Sequence, residues 1–286
     1  MTETVGLIGV GAMGSALLER LRKAGHSVQA YDIVPQAVEA AVKAGARAAA
    51  SPAAAATGAS KVHVFVRTDE EVEAVTLGKD GALAGMTKGA LLILHSTILP
   101  QTTKRVAEQA ARRGVDVIDV PITSVPPRVR DGKAAMLVGG PAAIVERERA
   151  YLQSLGGAVY VMGPLGSGNV AKLAKNAMNA AERVIFAEML RLATEGGLKP
   201  QTFLDMIKAE HHGSVVSDWH KALELDGDVV AMKPVSNLLD KDLPLAAELG
   251  RQLSLDLTAT TQAANTGRKL LAAWTQDWRR SGRATH

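Results

Sequence analysis

The feature that most constrains this chain is an alternation running through its first 160 residues. Short, almost wholly apolar runs (Val5–Val10, Ser27–Tyr31, Val62–Val66, Leu91–Leu94 and Val115–Val120) are separated by segments with helical spacing, such as Ala12–Ala24, Pro35–Lys43 and Pro100–Arg112. A strand that is apolar on both faces must be covered on both, and an intervening helix returns the chain to start the next strand in the same direction. The pattern predicts a doubly wound, parallel α/β sheet, extended by the short runs Ala134–Val138 and Ala158–Val161. After Gly168 strand-like runs vanish and helical segments continue to about Ala273. The first of these is a long helix from Asn169 to about Thr194, stopped by Gly196-Gly197. The expected organisation is an α/β domain over 1–163 and an all-helical domain over 164–286, joined by that long helix.

Composition removes several function classes. The chain has 286 residues and no cysteine, so disulfides, thiolate metal sites and a cysteine nucleophile are excluded. Its N-terminus, MTETVGLIGV, lacks the basic and apolar regions of a signal peptide, and no run is long enough to span a bilayer. A cytoplasmic protein is expected. The net charge of +4 is spread over scattered basic residues with few aromatics between them, which suits an anionic small molecule better than nucleic acid.

Gly9-Val10-Gly11-Ala12-Met13-Gly14 follows the first expected strand and opens a helix, and Asp32 ends the second strand, 18 residues past Gly14. In a dinucleotide-binding turn the first glycine permits the bend, the second admits the pyrophosphate and the third lets helix and strand pack closely. The phosphates then meet the positive end of the helix. A carboxylate at Asp32 would accept bonds from the adenosine ribose and repel a 2′-phosphate, so NAD is expected in preference to NADP.

The stretch GPLGSGNVAKLAKNAMN, residues 163–179, raises a second question. Gly163 and Gly168 have the glycine spacing of a phosphate-binding P-loop, but Asn169 and Val170 stand where lysine and serine or threonine are required. What remains is a glycine-lined helix start that places Lys172 and Asn176 one turn apart on one face. Periodicity leaves two readings of Lys172 open: a solvated surface residue, or an acid/base group in a cleft.

Gly166 to Asn176 reads G-S-G-N-V-A-K-L-A-K-N, and it resembles the G-x-G-x-x-x-K-x-x-x-N signature of the β-hydroxyacid dehydrogenases, the family of 3-hydroxyisobutyrate dehydrogenase and tartronate semialdehyde reductase. The likeness extends along the chain. Gly6–Gly14 resembles the family's dinucleotide fingerprint, Ser96–Pro100 its S-T-x-x-P segment, Asp119–Thr123 through Val138-Gly139-Gly140 its substrate segment, and Lys241-Asp242-Leu243 its C-terminal K-D-L. The resemblance implies a Rossmann-type domain, a nicotinamide cofactor, a small carboxylate substrate, no metal, and a homodimer or homotetramer. It implies Lys172 as general acid/base and Asn176 as an orienting group. It also implies Thr97, Val66, Arg67 and Lys241 beside the cofactor, and Thr123, Ser124 and Asp242 beside the substrate.

Departures from the family pattern are local. The usual D-A-P-V-S-G-G loop reads Asp119-Val120-Pro121-Ile122-Thr123-Ser124-Val125 here, without its two glycines, so a different backbone path is expected. Arg128 just beyond it faces either an anionic substrate or solvent. Val66-Arg67 replaces the common Leu-Pro, and Pro234 stands where many relatives carry phenylalanine. His211-His212 is adjacent in sequence and so does not have the i, i+4 spacing of helical metal ligands. Three rivals share much of this pattern: an imine reductase, a 6-phosphogluconate-type decarboxylating dehydrogenase, and a catalytically silent NAD(H)-binding protein.

Overall fold

The computed structural model of the protein describes residues 3–210, 223–226, 229–232, 238–267 and 269. The chain divides into two compact units, Met1–Lys172 and Leu173–His286. Among the described residues no helix is long and apolar enough to cross a membrane.

In the first unit strands and helices alternate: β1 (Thr4–Ile8), α1 (Ala12–Lys23), β2 (Ser27–Tyr31), α2 (Pro35–Lys43), β3 (Arg47–Ala48), α3 (Pro52–Ala56), β4 (Lys61–Val64), α4 (Asp69–Leu77) and α5 (Ala82–Gly85). They continue with β5 (Leu91–Leu94), α6 (Pro100–Ala111), β6 (Asp116–Asp119), β7 (Ile122–Thr123), α7 (Pro126–Arg130), β8 (Ala135–Gly139), α8 (Ala142–Leu155) and β9 (Ala158–Gly163). The helix α9 (Ser167–Glu195) leads out of this unit into the second.

The strand order β3-β2-β1-β4-β5-β6 is parallel throughout, the doubly wound arrangement expected from the apolar runs. One part of the sheet departs from the expected direction. β8 runs antiparallel to β6 and β7 and parallel to β9. An apolar run reads the same whichever way it is traversed, so sequence pattern carries no signal for this reversal.

Side chains alternate between the two faces of the sheet and feed two cores. Leu91 and Ile93 of β5 join Leu7, Leu17, Leu21, Ile118 and Leu152 on one face. Leu92 and Leu94 join Ile8, Val62, Val64, Ile98 and Val106 on the other. Each such leucine or isoleucine, withdrawn completely from water, contributes about 1.5–3 kcal/mol. Helix starts follow local chemistry: Pro35, Pro52 and Pro100 open their helices, and the Thr68 hydroxyl caps α4 by accepting from the Glu71 amide at 3.2 Å.

The second unit is built on the greater part of α9, with α10 (Pro200–Glu210), a π-helical turn over Leu238–Asp242, α11 (Leu243–Gln252) and a helix over 258–267. Val184, Phe186, Leu190, Leu204 and Leu243 are the larger parts of its core. It also contains an antiparallel hairpin, β10 (Leu223–Asp226) with β11 (Val229–Met232), where an unbroken series of helices is expected. The sequence around it, LELD-GD-VVAM, has a two-residue Gly-Asp connection that permits a tight turn, a signal weaker than the helical periodicity on either side.

Candidate active site

The first half of the site lies at the carboxyl end of the sheet, beside β1 and β4, where the strand order reverses and open α/β sheets take their ligands. A cleft of about 550 Å³ is lined there by Gly9, Gly11, Asp32, Phe65, Val66 and Arg67, among others. Gly9 has φ +90°, and a Cβ on it would stand 2.4 Å from the Phe65 carbonyl oxygen. A Cβ on Gly14 would stand 2.0 Å from the Gly9 carbonyl oxygen, so α1 packs onto the turn only because both residues are glycine. Gly11 is different: nothing lies within 4 Å of where its Cβ would be, and the space beside it is open.

The first intrahelical bond of α1 runs from the Ser15 amide to the Gly11 carbonyl, so the amides of Ala12, Met13 and Gly14 fall outside the helical ladder. Met13 turns its side chain into the core and offers only its backbone to this turn. Asp32 has a part that spacing alone does not disclose. Its Oδ2 accepts from the Val10 amide at 2.7 Å and its Oδ1 from the Val34 amide at 2.9 Å, so the carboxylate braces the glycine turn while facing the cleft. Open space at Gly11, amides outside the helical ladder and a fixed carboxylate together fit the pyrophosphate and ribose of a dinucleotide.

The glycine-rich start of α9 has its own explanation. Asp119, at the end of β6 and fully buried, accepts from the Gly166 amide at 2.7 Å (Oδ1) and from the Asn169 amide at 2.8 Å (Oδ2). The helix start is thus occupied by a carboxylate of the protein itself. Burial pushes the Asp119 carboxyl up to about 6, against the pull of the Gly166, Asn169 and Gly168 amides. A Cβ on Gly168 would meet the Leu137 carbonyl oxygen at 2.4 Å, and one on Gly139 would meet Asp119 Oδ1 at the same distance. Asn169, also fully buried, accepts from the Ile98 amide (3.3 Å) and donates to the Thr103 hydroxyl (3.0 Å). Asp69 accepts from the Leu99 amide at 3.0 Å, and Ser96 Oγ donates to the Val66 carbonyl at 2.7 Å, so the loop bearing Thr97 is clamped on both sides.

One turn into this anchored helix, Lys172 Nζ donates to the Ile122 carbonyl at 2.7 Å. The lysine is therefore held against the segment that continues into Thr123 and Ser124, and the Ser124 hydroxyl oxygen is buried with no hydrogen-bond partner. Arg128 is exposed and donates to the Lys133 carbonyl at 3.2 Å. In the second unit Asn176 donates through Nδ2 to Asp242 Oδ2 at 2.8 Å, and Lys241 Nζ approaches Asp242 Oδ1 at the same distance. The Lys241 contact is a close ion pair whose alignment falls short of a hydrogen bond. Asn176 and Asp242 are buried. His211, His212 and Pro234 lie outside the described residues.

Residues 4–163 match the model of the NAD-binding domain of 6-phosphogluconate dehydrogenase, and residues 166–282 match that of the NAD-binding domain of NADP-dependent 3-hydroxyisobutyrate dehydrogenase. A 3-hydroxyisobutyrate dehydrogenase of Pseudomonas aeruginosa is 34% identical over 85% of this chain and 83% of its own length. The chain belongs to the β-hydroxyacid dehydrogenase family. The 2-hydroxy-3-oxopropionate reductase of Escherichia coli is 29% identical over 93% of both chains. Among solved structures, a Mycobacterium tuberculosis 3-hydroxyisobutyrate dehydrogenase with L-serine superposes with a TM-score of 0.81 at 26% identity, covering 96% of this chain and 95% of that one. The protein is an NAD(P)-dependent β-hydroxyacid dehydrogenase, with a nicotinamide cofactor belonging to its Rossmann-type unit. The part that Asp119 and Asn169 play in securing α9 escapes a reading by motif, because their partners are 47 and 71 residues away in the chain.

Proposed function

We propose that this β-hydroxyacid dehydrogenase oxidises a small β-hydroxy acid with NAD, or reduces the matching semialdehyde, with Lys172 as the general acid/base. The observation that carries this reading is the hold on Lys172: its ammonium nitrogen is 2.7 Å from the Ile122 carbonyl, on a helix whose first turn is pinned by a buried carboxylate. When bound, the nicotinamide ring accepts the hydride from the hydroxyl-bearing carbon. Lys172, as the neutral amine, takes the hydroxyl proton at Nζ, and in the reductive direction the ammonium returns it.

The other roles follow from chemistry already described. Gly9, Gly11 and the amides of Ala12, Met13 and Gly14 receive the pyrophosphate, Asp32 the adenosine ribose, and Thr97 the nicotinamide ribose. Val66 and Arg67 flank the cofactor. Thr123 and the unsatisfied Ser124 hydroxyl receive the substrate carboxylate. In the second unit Asp242 orients Asn176 and Lys241, which serve the substrate and the cofactor respectively. Asp32 favours NAD over NADP, since a 2′-phosphate would bring a second negative charge to the same place. A second copy of the chain covers the exposed side chains Met178, Ile185, Met189 and Leu192, which share one stripe of α9.

The test is NADH appearance with NAD and a panel of small β-hydroxy acids, for wild type and Lys172→Ala together. One acid should turn over, and the alanine variant should lose about 10²-fold or more in kcat while still binding NADH. A Lys172→Ala variant that keeps wild-type turnover removes the lysine from the chemistry. NADH binding without turnover on any acid removes the substrate class.

A further inference from the structure

Three side chains of the first unit join in a line that the reaction as described does not use. The Tyr151 hydroxyl lies 2.6 Å from His63 Nε2, His63 Nδ1 lies 2.8 Å from His95 Nε2, and His95 Nδ1 lies 2.8 Å from the Val120 carbonyl oxygen. His63 and His95 are wholly buried and their rings are parallel within 1°. The direction of the line is forced by its end. A carbonyl only accepts, so His95 carries its proton on Nδ1 and accepts at Nε2. His63 must then donate from Nδ1 and accept at Nε2, and Tyr151 donates. Around the outer end stand His26, 5.4 Å from the Tyr151 ring, and Lys61, which lies over that ring and pairs with Glu3 and Glu148.

The line is not a route for protons, because a peptide carbonyl at its end has none to pass on. Its effect falls on Val120. From that residue three successive carbonyls are each taken by a different part of the unit: Val120 by His95, Pro121 by the Leu137 amide at 3.1 Å, and Ile122 by Lys172. Pro121 has no N–H, so the amide side of this segment offers one anchor fewer than an ordinary strand. The Val120 amide donates back to Leu94, the residue before His95. Both backbone polar groups of Val120 are therefore held at the end of β5, by Leu94 and His95, and the carbonyl that receives Lys172 lies two residues further on.

We propose that His95, held in one tautomer by His63 and Tyr151, is a positioning residue that sets the Ile122 carbonyl for Lys172. This rests on the acid/base role of Lys172 given above. His95→Leu leaves the Val120 carbonyl buried without its partner and loosens the segment. His95→Asn places an amide nitrogen near the position of Nδ1 and keeps a donor for that carbonyl. Tyr151→Phe removes only the outer donor.

Two readouts are needed. One is the pH profile of kcat with whichever acid turns over; the other is the pH dependence of Lys172 acetylation by acetic anhydride, followed by peptide mass spectrometry, which needs no turnover. In His95→Leu, kcat should fall about tenfold while NADH affinity stays within about twofold. The Lys172 acetylation midpoint should move to lower pH, because the ammonium has lost an acceptor, and the acid limb of the kcat profile should move with it. His95→Asn should restore both midpoints, and Tyr151→Phe should move them less in the same direction. A general loss of folded protein would lower activity without moving either midpoint. The proposal is overturned if the acetylation midpoint stays put in a folded His95→Leu protein, or moves as far in His95→Asn. Should His95→Leu fail to fold, an unmoved midpoint in Tyr151→Phe overturns it. If wild type turns over no hydroxy acid, the substrate reading fails while the acetylation midpoints still decide this one.

Discussion

Burial pushes the Asp119 carboxyl up to about 6 and His95 down to about 4, so both groups exchange their proton with a different affinity in the folded and unfolded chains. For Asp119 the folded value lies above the unfolded one, so its contribution is complete below about 3.8 and is lost as pH rises through about 6. For His95 the folded value lies below the unfolded one, so its contribution is complete above about 6.5 and is lost as pH falls through about 4. Each is worth about 3 kcal/mol at its favourable end, and between pH 4 and 6 they oppose each other. His63, held well below the usual imidazole range by burial and by His95, adds to the loss on acidification. Asp119→Asn should therefore lose stability more steeply than wild type between pH 7 and pH 4.5 in urea unfolding; equal slopes would mean that the carboxyl is not raised. Asp32 supports a separate expectation: fluorescence titration should give NADPH an affinity about tenfold or more below that of NADH. Equal affinities would remove Asp32 from cofactor selection.

At the level of the element, the start of α9 depends on small residues facing each other across a short gap. Gly168→Ala brings a methyl group to 2.4 Å from the Leu137 carbonyl oxygen and 2.8 Å from Asp119 Oδ2, neither of which can swing aside as a flexible side chain would. Destabilisation by about 1–3 kcal/mol is expected, with reduced kcat because Lys172 shifts with its helix. An alanine variant with the urea midpoint and kcat of wild type would show that the gap closes without cost. Elements such as α2, opened by Pro35 and closed after Lys43, are legible in sequence because their signals are local. The parallel strands are legible for the same reason, as is the tight glycine turn at Gly9 and Gly14. The reversed direction of β8, the Asp119 anchor and the His63–His95 line arise from pairings between residues far apart in the chain, and one sequence carries no periodic trace of them. The hairpin β10–β11 was hidden differently, by strands of four residues, a length at which alternation is hard to separate from chance.

For the molecule as a whole, the stripe of α9 carries the expectation about assembly. Met178, Ile185, Met189 and Leu192 are each 43–65% exposed, a continuous apolar band of the kind that a monomer seldom presents to water. Sedimentation should give at least a dimer at micromolar concentration, and the double change Ile185→Glu with Leu192→Glu should shift it to monomer. A wild-type monomer at that concentration would sink the idea. The Asp32 brace has a consequence of another kind, for anyone wishing to retune this catalyst. Exchanging that carboxylate to admit a phosphorylated coenzyme also strips the Val10 and Val34 amides of their acceptor. On the cofactor role proposed for Asp32, coenzyme preference and the order of the glycine turn are tied to one side chain. A redesign confined to position 32 would trade selectivity against a loosened turn, and success requires a second substitution that takes over the orphaned amides.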